Sequence, residues 1–224
     1  MASIAKYLAD RDYASEVLLV DDGSADDTAK IAREAFGEGL RVLTQTPNQG
    51  KGAAIRRGME EARGDWRLFS DADNSTPIDE IEKLWPWADE GYDVCVGSRA
   101  MRESRIEVRQ PFYRETMGRT FNVFVRALVL GGLSDTQCGF KLFSRAAAEA
   151  VFPRQSLSGW AFDVECLMLA RGSGFRIREV PIRWINSPAT RLSAMSDSIA
   201  MFRDLLRLRS MYGKDGARLK PNAI

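Results

Sequence analysis

Short apolar runs alternate with stretches of helix length from near the start of the chain to its middle, and this rhythm constrains the fold more than any other feature. Val17-Leu18-Leu19-Val20, Arg41-Val42-Leu43, the run ending in Leu68-Phe69-Ser70 and Asp93-Val94-Cys95-Val96 are all too short for helices. Continuous apolar runs of that length read as strands buried on both faces of a parallel sheet. Between them the sequence predicts a helix capped by Asp26 and Thr28 and running to about Phe36, one opened by Asn48-Gln49-Gly50-Lys51-Gly52 and running to about Ala62, and one from Pro77 to about Ala88. Repeated βαβ units predict an α/β protein, a three-layer sandwich with a mostly parallel central sheet and right-handed crossovers. A helix within residues 1–15 comes before the first run, so the strand expected ahead of it is missing from this order, and the sheet is expected to lack its first strand.

Open α/β sheets bind ligands outside the carboxyl ends of their strands. At those ends the sequence places Asp21-Asp22-Gly23-Ser24, Asp71-Ala72-Asp73 and Gly97-Ser98-Arg99. Two carboxylates one residue apart offer hard oxygen donors for Mg²⁺ or Mn²⁺ bridging a diphosphate. A solvated turn or a helix cap is the competing account of the same residues. Asn48-Gln49-Gly50-Lys51-Gly52 opens a helix whose N-terminus and Lys51 ammonium can face an anion. It lacks the spacing and the closing Ser/Thr of a Walker A loop.

The 224 residues are expected to form one domain over 1–212, with halves at about 1–98 and 99–212 and a polar, frayed tail over 213–224. Residues 1–98 carry 11 basic and 20 acidic side chains, and residues 99–224 carry 21 and 11. An acidic half suits a bound cation, and an Arg-rich half suits phosphate groups or an anionic membrane surface. The chain has no histidine, which removes Ser-His-Asp and Cys-His catalysis and any His-ligated zinc. Cys95, Cys138 and Cys166 show no Cys-x-x-Cys pair, which fits a reducing, cytoplasmic setting. The most apolar stretch, Phe121 to Leu133, is too short to span a bilayer, so contact with the cytoplasmic face of a membrane would be peripheral. Residues 100–111 read as a mobile loop, and Phe112 to Leu130 and Ser196 to Met211 as amphipathic helices with Arg stripes. Pro181 marks an edge or a bulge within a strand from Ile177 to Trp184. Asp163 and Glu165 are two apart, so only one of them is expected to point into a site. Basic residues are dispersed without an aromatic stacking motif, which argues against nucleic acid.

Taken in order, Val20-Asp21-Asp22-Gly23-Ser24-x-Asp26-x-Thr28, Asn48-x-Gly50-Lys51-Gly52, Asp71-Ala72-Asp73, Gly97-Ser98-Arg99, Asp135-Thr136-Gln137-Cys138-Gly139-Phe140-Lys141 and Trp160-Ala161-Phe162-Asp163-x-Glu165 resemble the family 2 glycosyltransferases of GT-A, Rossmann-like fold. Within that family they look most like the dolichyl or polyprenyl phosphate glucosyl- and mannosyltransferases. The resemblance implies metal-dependent, inverting transfer of a hexose, glucose favoured, from a nucleoside diphosphate sugar to a polyprenyl phosphate. UDP-glucose is the favoured donor, with GDP-mannose open although weakened by Ser75, where mannosyl members often place Gln. By the same resemblance Asp21, Asp22, Ser24, Asn48 and Lys51 would hold the nucleotide, Asp71 and Asp73 the Mg²⁺ or Mn²⁺, and Arg99, Arg114 and Arg126 the lipid phosphate. A saccharide hydroxyl as acceptor would instead need Asp163 or Asp135 as base. Family members usually begin with a strand ending in a Pro-Ala-x-Asn-Glu-like segment, and this chain starts in the helix after it, which leaves a non-catalytic nucleotide-sugar-binding fragment as a further alternative.

Overall fold

A computed structural model describes residues 1–108, 110–186 and 194–219, with the side chains of Arg114 and of residues 194–198 outside the described ones. After α1 (Ala2–Ala9), β1 (Val17–Asp21) and β2 (Leu40–Thr44) pair in parallel around α2 (Thr28–Phe36). The chain then runs through α3 (Lys51–Glu61), β3 (Trp66–Ser70), a 3-10 turn (Ile78–Lys83), α4 (Trp85–Asp89), β4 (Val94–Ser98) and β5 (Arg105–Val108). Its second half contributes α5 (Phe112–Leu128), β6 (Phe140–Ser144), α6 (Arg145–Val151), α7 (Phe162–Gly172), β7 (Ile177–Pro181), β8 (Arg183–Ile185) and α8 (Ala194–Tyr212).

Four strands form one sheet in the order β3-β6-β4-β7, while β1-β2 and β5-β8 stand as separate parallel pairs. Pairing is parallel throughout except around β6, which enters from the second half and lies antiparallel between β3 and β4. Val94 and Val96 of β4 belong to one buried cluster with α5, α6 and α7, and Cys95 between them belongs to the other, with Tyr7, Leu84 and Trp184. Alternation through a strand buried on both faces is why its sequence is continuously apolar, and it gives the three layers. Between β1 and β3 no strand pairing exists among the described residues.

Several local expectations change. Residues 105–108, expected as part of a loop, pair with β8, because the Arg105 N–H reaches the Ile182 carbonyl and starts a parallel ladder. The helix expected from Pro77 breaks at Leu84, with Pro86 at the first turn of α4, where its missing N–H costs nothing. The strand expected from Ile177 to Trp184 divides at Ile182 into β7 and β8. Residues 213–219 of the supposed tail pack against α7: Asp215 pairs with Arg171 at 2.7 Å, accepts the Gly131 N–H, and leads Leu219 onto the core. The rest of that tail lies outside the described residues.

Candidate functional site

The loop after β1 is organised by Asp22. Its carboxylate accepts the N–H groups of Gln49 and Gly50 and the Gln45 amide, each at 2.8 Å, so it ties down the turn that leads into α3. Gly50 needs its φ of +95° here, and a Cβ on it would lie 2.7 Å from the Ser158 carbonyl. Asn48 donates to the Asp22 carbonyl, and Asp21 accepts the Ser24 N–H at 2.9 Å. Asp21, Asp22, Ser24 and Asn48 are therefore one interlocked loop, with Ser24 and Asn48 exposed.

β3 delivers the Asp71-Ala72-Asp73 turn, closed by the Asn74 N–H on the Asp71 carbonyl, with Asn74 itself in the left-handed region at φ 55°. Asn tolerates that conformation better than most residues. Asp73 is exposed and accepts the Ser75 N–H, while Asp71 forms an ion pair with Lys51 at 2.7 Å. Burial alone would lower the Lys51 pKa, but Asp71, Asp163 and Asp73 outweigh it and hold the ammonium above its ordinary value. Lys51 also lies 5.4 Å from the centre of the Trp160 ring. Gly139 backs the carboxylate so closely that an added Cβ would fall within Asp71, and the Asp71 N–H bonds the Gly139 carbonyl.

The donor chemistry at this turn fits a divalent cation. Asp71 already attracts one cation, the Lys51 ammonium, and Asp73 adds a second hard oxygen donor nearby in the chain. No cluster of three or more ligating side chains occurs among the described residues, so further positions would fall to substrate phosphates and water, the arrangement Mg²⁺ favours.

Across the cleft, Arg99 and Asp135 form a two-pronged ion pair, Nε to Oδ2 at 2.6 Å and Nη2 to Oδ1 at 2.9 Å. Burial would raise the Asp135 pKa, yet Arg99 reverses this and holds the carboxyl below the ordinary range. Glu179 of β7 fixes the loop from behind by accepting the N–H groups of Ser134 and Asp135 and the Ser98 hydroxyl. Asp163 pairs with the fully buried Lys141, and burial pushes its carboxyl above the ordinary value despite Lys141 and Lys51. Glu165 faces away, accepting from Ser156, Leu157 and Tyr212, so one member of that acidic pair reaches the cleft. Burial pushes the thiols of Cys95 and Cys138 up to about 12 and that of Cys166 well above its ordinary value.

Asp22, Asn48, Lys51, Asp71, Asp73, Arg99, Asp135, Asp163 and Arg126 all line one cleft of about 2830 Å³, whereas Asp21 and Ser24 do not. Reading the sequence missed Lys141, Gly139, Glu179 and Arg119, the last also lining the cleft and paired with Glu115 at 2.6 Å. Lys141 and Gly139 stood inside a quoted motif; nothing in the sequence pointed to Glu179. The same cleft runs on to Phe121, Phe124 and Phe202, where α5 and α8 meet and the rings of Phe124 and Phe202 stack edge to face at 5.3 Å.

Comparison with known proteins bears on this arrangement. The chain is 36% identical over 219 residues to the dolichyl-phosphate beta-glucosyltransferase of Homo sapiens, covering 93% of this chain and 67% of that one. It is 34% identical over 212 residues to the protein of that name from Dictyostelium discoideum, covering 91% of this chain and 65% of that one. The chain thus spans about two thirds of the length of these relatives. Among solved structures, glucosyl-3-phosphoglycerate synthase from Mycobacterium tuberculosis, in complex with Mn²⁺, UDP and glucosyl-3-phosphoglycerate, superposes with a TM-score of 0.66 at 20% identity, covering 99% of this chain and 76% of that one. That likeness establishes the GT-A fold. The family model described as "Glycosyl transferase family 2" matches residues 2–152, from α1 through all three acidic or basic rim loops of the first half, and the chain belongs to that family.

Proposed function

We propose that this chain carries the catalytic domain of an inverting glucosyltransferase that moves glucose from UDP-glucose to a dolichyl or other polyprenyl phosphate. The observation that carries the reading is one cleft lined by Lys51, Asp71 and Asp73, by Arg99, Arg119 and Arg126, and by apolar residues of α5 and α8. Carboxylates and an ammonium suit a metal-bound diphosphate, guanidinium groups suit a second phosphate, and the aromatic corner suits a prenyl chain. The names of the relatives support glucosyl transfer to dolichyl phosphate.

Asp71 and Asp73 would hold Mg²⁺ or Mn²⁺, which when bound supplies positive charge to the departing diphosphate. Lys51 gives up its pairing with Asp71 and turns toward the diphosphate. Asp22 holds the turn before α3 and so shapes the nucleoside end together with Asn48, while Ser24, off the cleft, steadies the same loop through Asp21. Arg126 and Arg99 orient the acceptor phosphate; Arg114, the third guanidinium assigned to it, has its side chain outside the described ones. A phosphate monoester has a second pKa near 6, so it reaches the site largely as a dianion and attacks without a protein base. The engagement of both candidate bases, Asp135 with Arg99 and Asp163 with Lys141, supports this choice over a sugar hydroxyl. Attack from the face opposite the diphosphate inverts the anomeric carbon. No helix among the described residues is long and apolar enough to cross a membrane, so these residues would meet a lipid acceptor peripherally, through α5 and α8.

Radiolabelled UDP-glucose with Mn²⁺ or Mg²⁺ and either a polyprenyl phosphate or oligosaccharides tests the reading. Label is expected in a β-linked prenyl phosphate sugar and to be lost in Asp71→Asn. Transfer to oligosaccharides alone, or equal use of GDP-mannose, would overturn it.

A further inference from the structure

Among the described side chains of α5, two are buried, Asn122 and Val125. An asparagine at such a position is doubly unfavourable: its amide competes with the helix backbone for hydrogen bonds, and burying an amide costs free energy unless it is bonded. Its oxygen is spent on one residue outside the helix. Oδ1 accepts both the N–H of Thr136 at 3.1 Å and its hydroxyl at 3.0 Å, while Nδ2 donates back to the Gly118 carbonyl at 3.2 Å. The bond to Gly118 holds the side chain to its own helix, so Thr136, itself wholly buried, is held from a fixed point.

Thr136 follows Asp135, whose carboxylate grips Arg99 through Nε and Nη2 and leaves Nη1 out of that pair. On its other flank the same loop is tied to β7, where Glu179 accepts the Ser134 and Asp135 N–H groups. Two elements thus mount the loop, and α5 is one of them. Residues three and four apart are neighbours on a helix, so Arg119 and Arg126 stand one turn before and one turn after Asn122. Arg99, Arg119, Asn122, Arg126 and Asp135 all line the one cleft.

We infer that Asn122 is a positioning residue which fixes the separation between Arg99 on one side and Arg119 and Arg126 on the other, so that guanidinium groups of two elements close on one phosphate. A guanidinium fork covers two oxygens, and a phosphate monoester offers three. Groups mounted on different elements act on it together only where their spacing is held to about 0.5 Å, which calls for bonded support behind them. Asn122 supplies that support without itself having to touch the phosphate. The inference deepens, and rests on, the reading of the cleft as one that takes a phosphate acceptor.

The test is a double-mutant cycle on binding, with UDP and Mg²⁺ present, of geranyl phosphate by calorimetry and of inorganic phosphate by phosphorus magnetic resonance. In the natural chain Arg126→Ala is expected to weaken geranyl phosphate about tenfold or more, and in Asn122→Leu less than about threefold, because a released loop lets the phosphate settle on either set of guanidinium groups but not on both. Inorganic phosphate should follow the same pattern. UDP affinity should stay within about twofold in every variant, a split that a general loss of structure would not give. Thr136→Ser keeps both bonds and should retain the natural affinity. Thr136→Val, equal in shape and lacking the hydroxyl, should show the coupling in part, and it carries the cycle should Asn122→Leu not fold. An Arg126→Ala effect of equal size in both backgrounds would overturn the inference, as would UDP and phosphate affinities falling together in Asn122→Leu. A coupling confined to geranyl phosphate would do so too, since it would belong to the prenyl chain. The intact pattern without glucose transfer to geranyl phosphate would sink the proposed function and leave the positioning role standing.

Discussion

Gly139 is the residue with the least freedom at the site, because the Asp71 carboxylate occupies the space a Cβ would need. Gly139→Ala should displace that carboxylate by a fraction of an ångström to an ångström and lower kcat by about 10²-fold, the usual cost of such a misplacement. Mn²⁺ binding read by electron paramagnetic resonance should weaken in parallel. Asp163 makes a different prediction. Its removal strands the buried Lys141 ammonium, so Asp163→Asn should cost about 3–5 kcal/mol in urea unfolding. Turnover per folded molecule should nevertheless stay within about tenfold with a phosphate acceptor, because a missing general base would show as a loss of about 10²- to 10⁴-fold. At this scale the sequence marked Lys51, Asp71, Asp73 and Asp163 by type and spacing. It did not mark their surroundings: Asp22 holding the Gln49 turn before α3 and Asp135 gripping Arg99 are partnerships across 27 and 36 residues, set by folding rather than by local pattern.

Elements hold the proposed acceptor side through a chain of contacts that begins on β7. Glu179 accepts two loop N–H groups and the Ser98 hydroxyl, the loop presents Asp135, and Asp135 aims Arg99. Glu179→Ala should therefore raise KM for the acceptor several-fold while leaving UDP affinity, measured by calorimetry, unchanged. The Arg99–Asp135 link also carries a pH dependence. With its folded pKa below the ordinary 3.8, Asp135 contributes stability that is complete above that value and is lost as pH falls through the depressed one. The difference in unfolding free energy between the natural chain and Asp135→Asn should shrink in that window and stay constant above it. Helix α5 was legible because its aromatic residues repeat at helical spacing, and β4 because both its faces are buried. β5 was not, since Arg105-Ile106-Glu107-Val108 exposes most of its side chains and owes its strand form to β8 alone.

For the whole molecule, the βαβ rhythm foretold the layers but not the antiparallel β6, whose direction is decided by a connection through α5 and the long loop after it. The apolar corner of α5 and α8 is a property of the assembled molecule. Phe112 is 83% exposed, Val123 and Leu206 are about half exposed, and the rings of Phe124 and Phe202 meet edge to face. Phe124→Asp with Phe202→Asp should reduce co-sedimentation with anionic vesicles and raise KM for a long-chain prenyl phosphate, with little effect on a short, water-soluble one. A last consequence follows from the absence of imidazole and the buried thiols. No side chain of this molecule has its ordinary pKa between about 5 and 8, and its cysteines are pushed out of reach of that interval. Burial raises the Asp163 carboxyl in the cleft, so an ionisation limb near pH 6 that survives Asp163→Asn reports the substrate's own phosphate, and the acceptor's titration can then be read directly. The limb should stay in place in Asp163→Asn and move when the acceptor is exchanged for a phosphonate of different acidity.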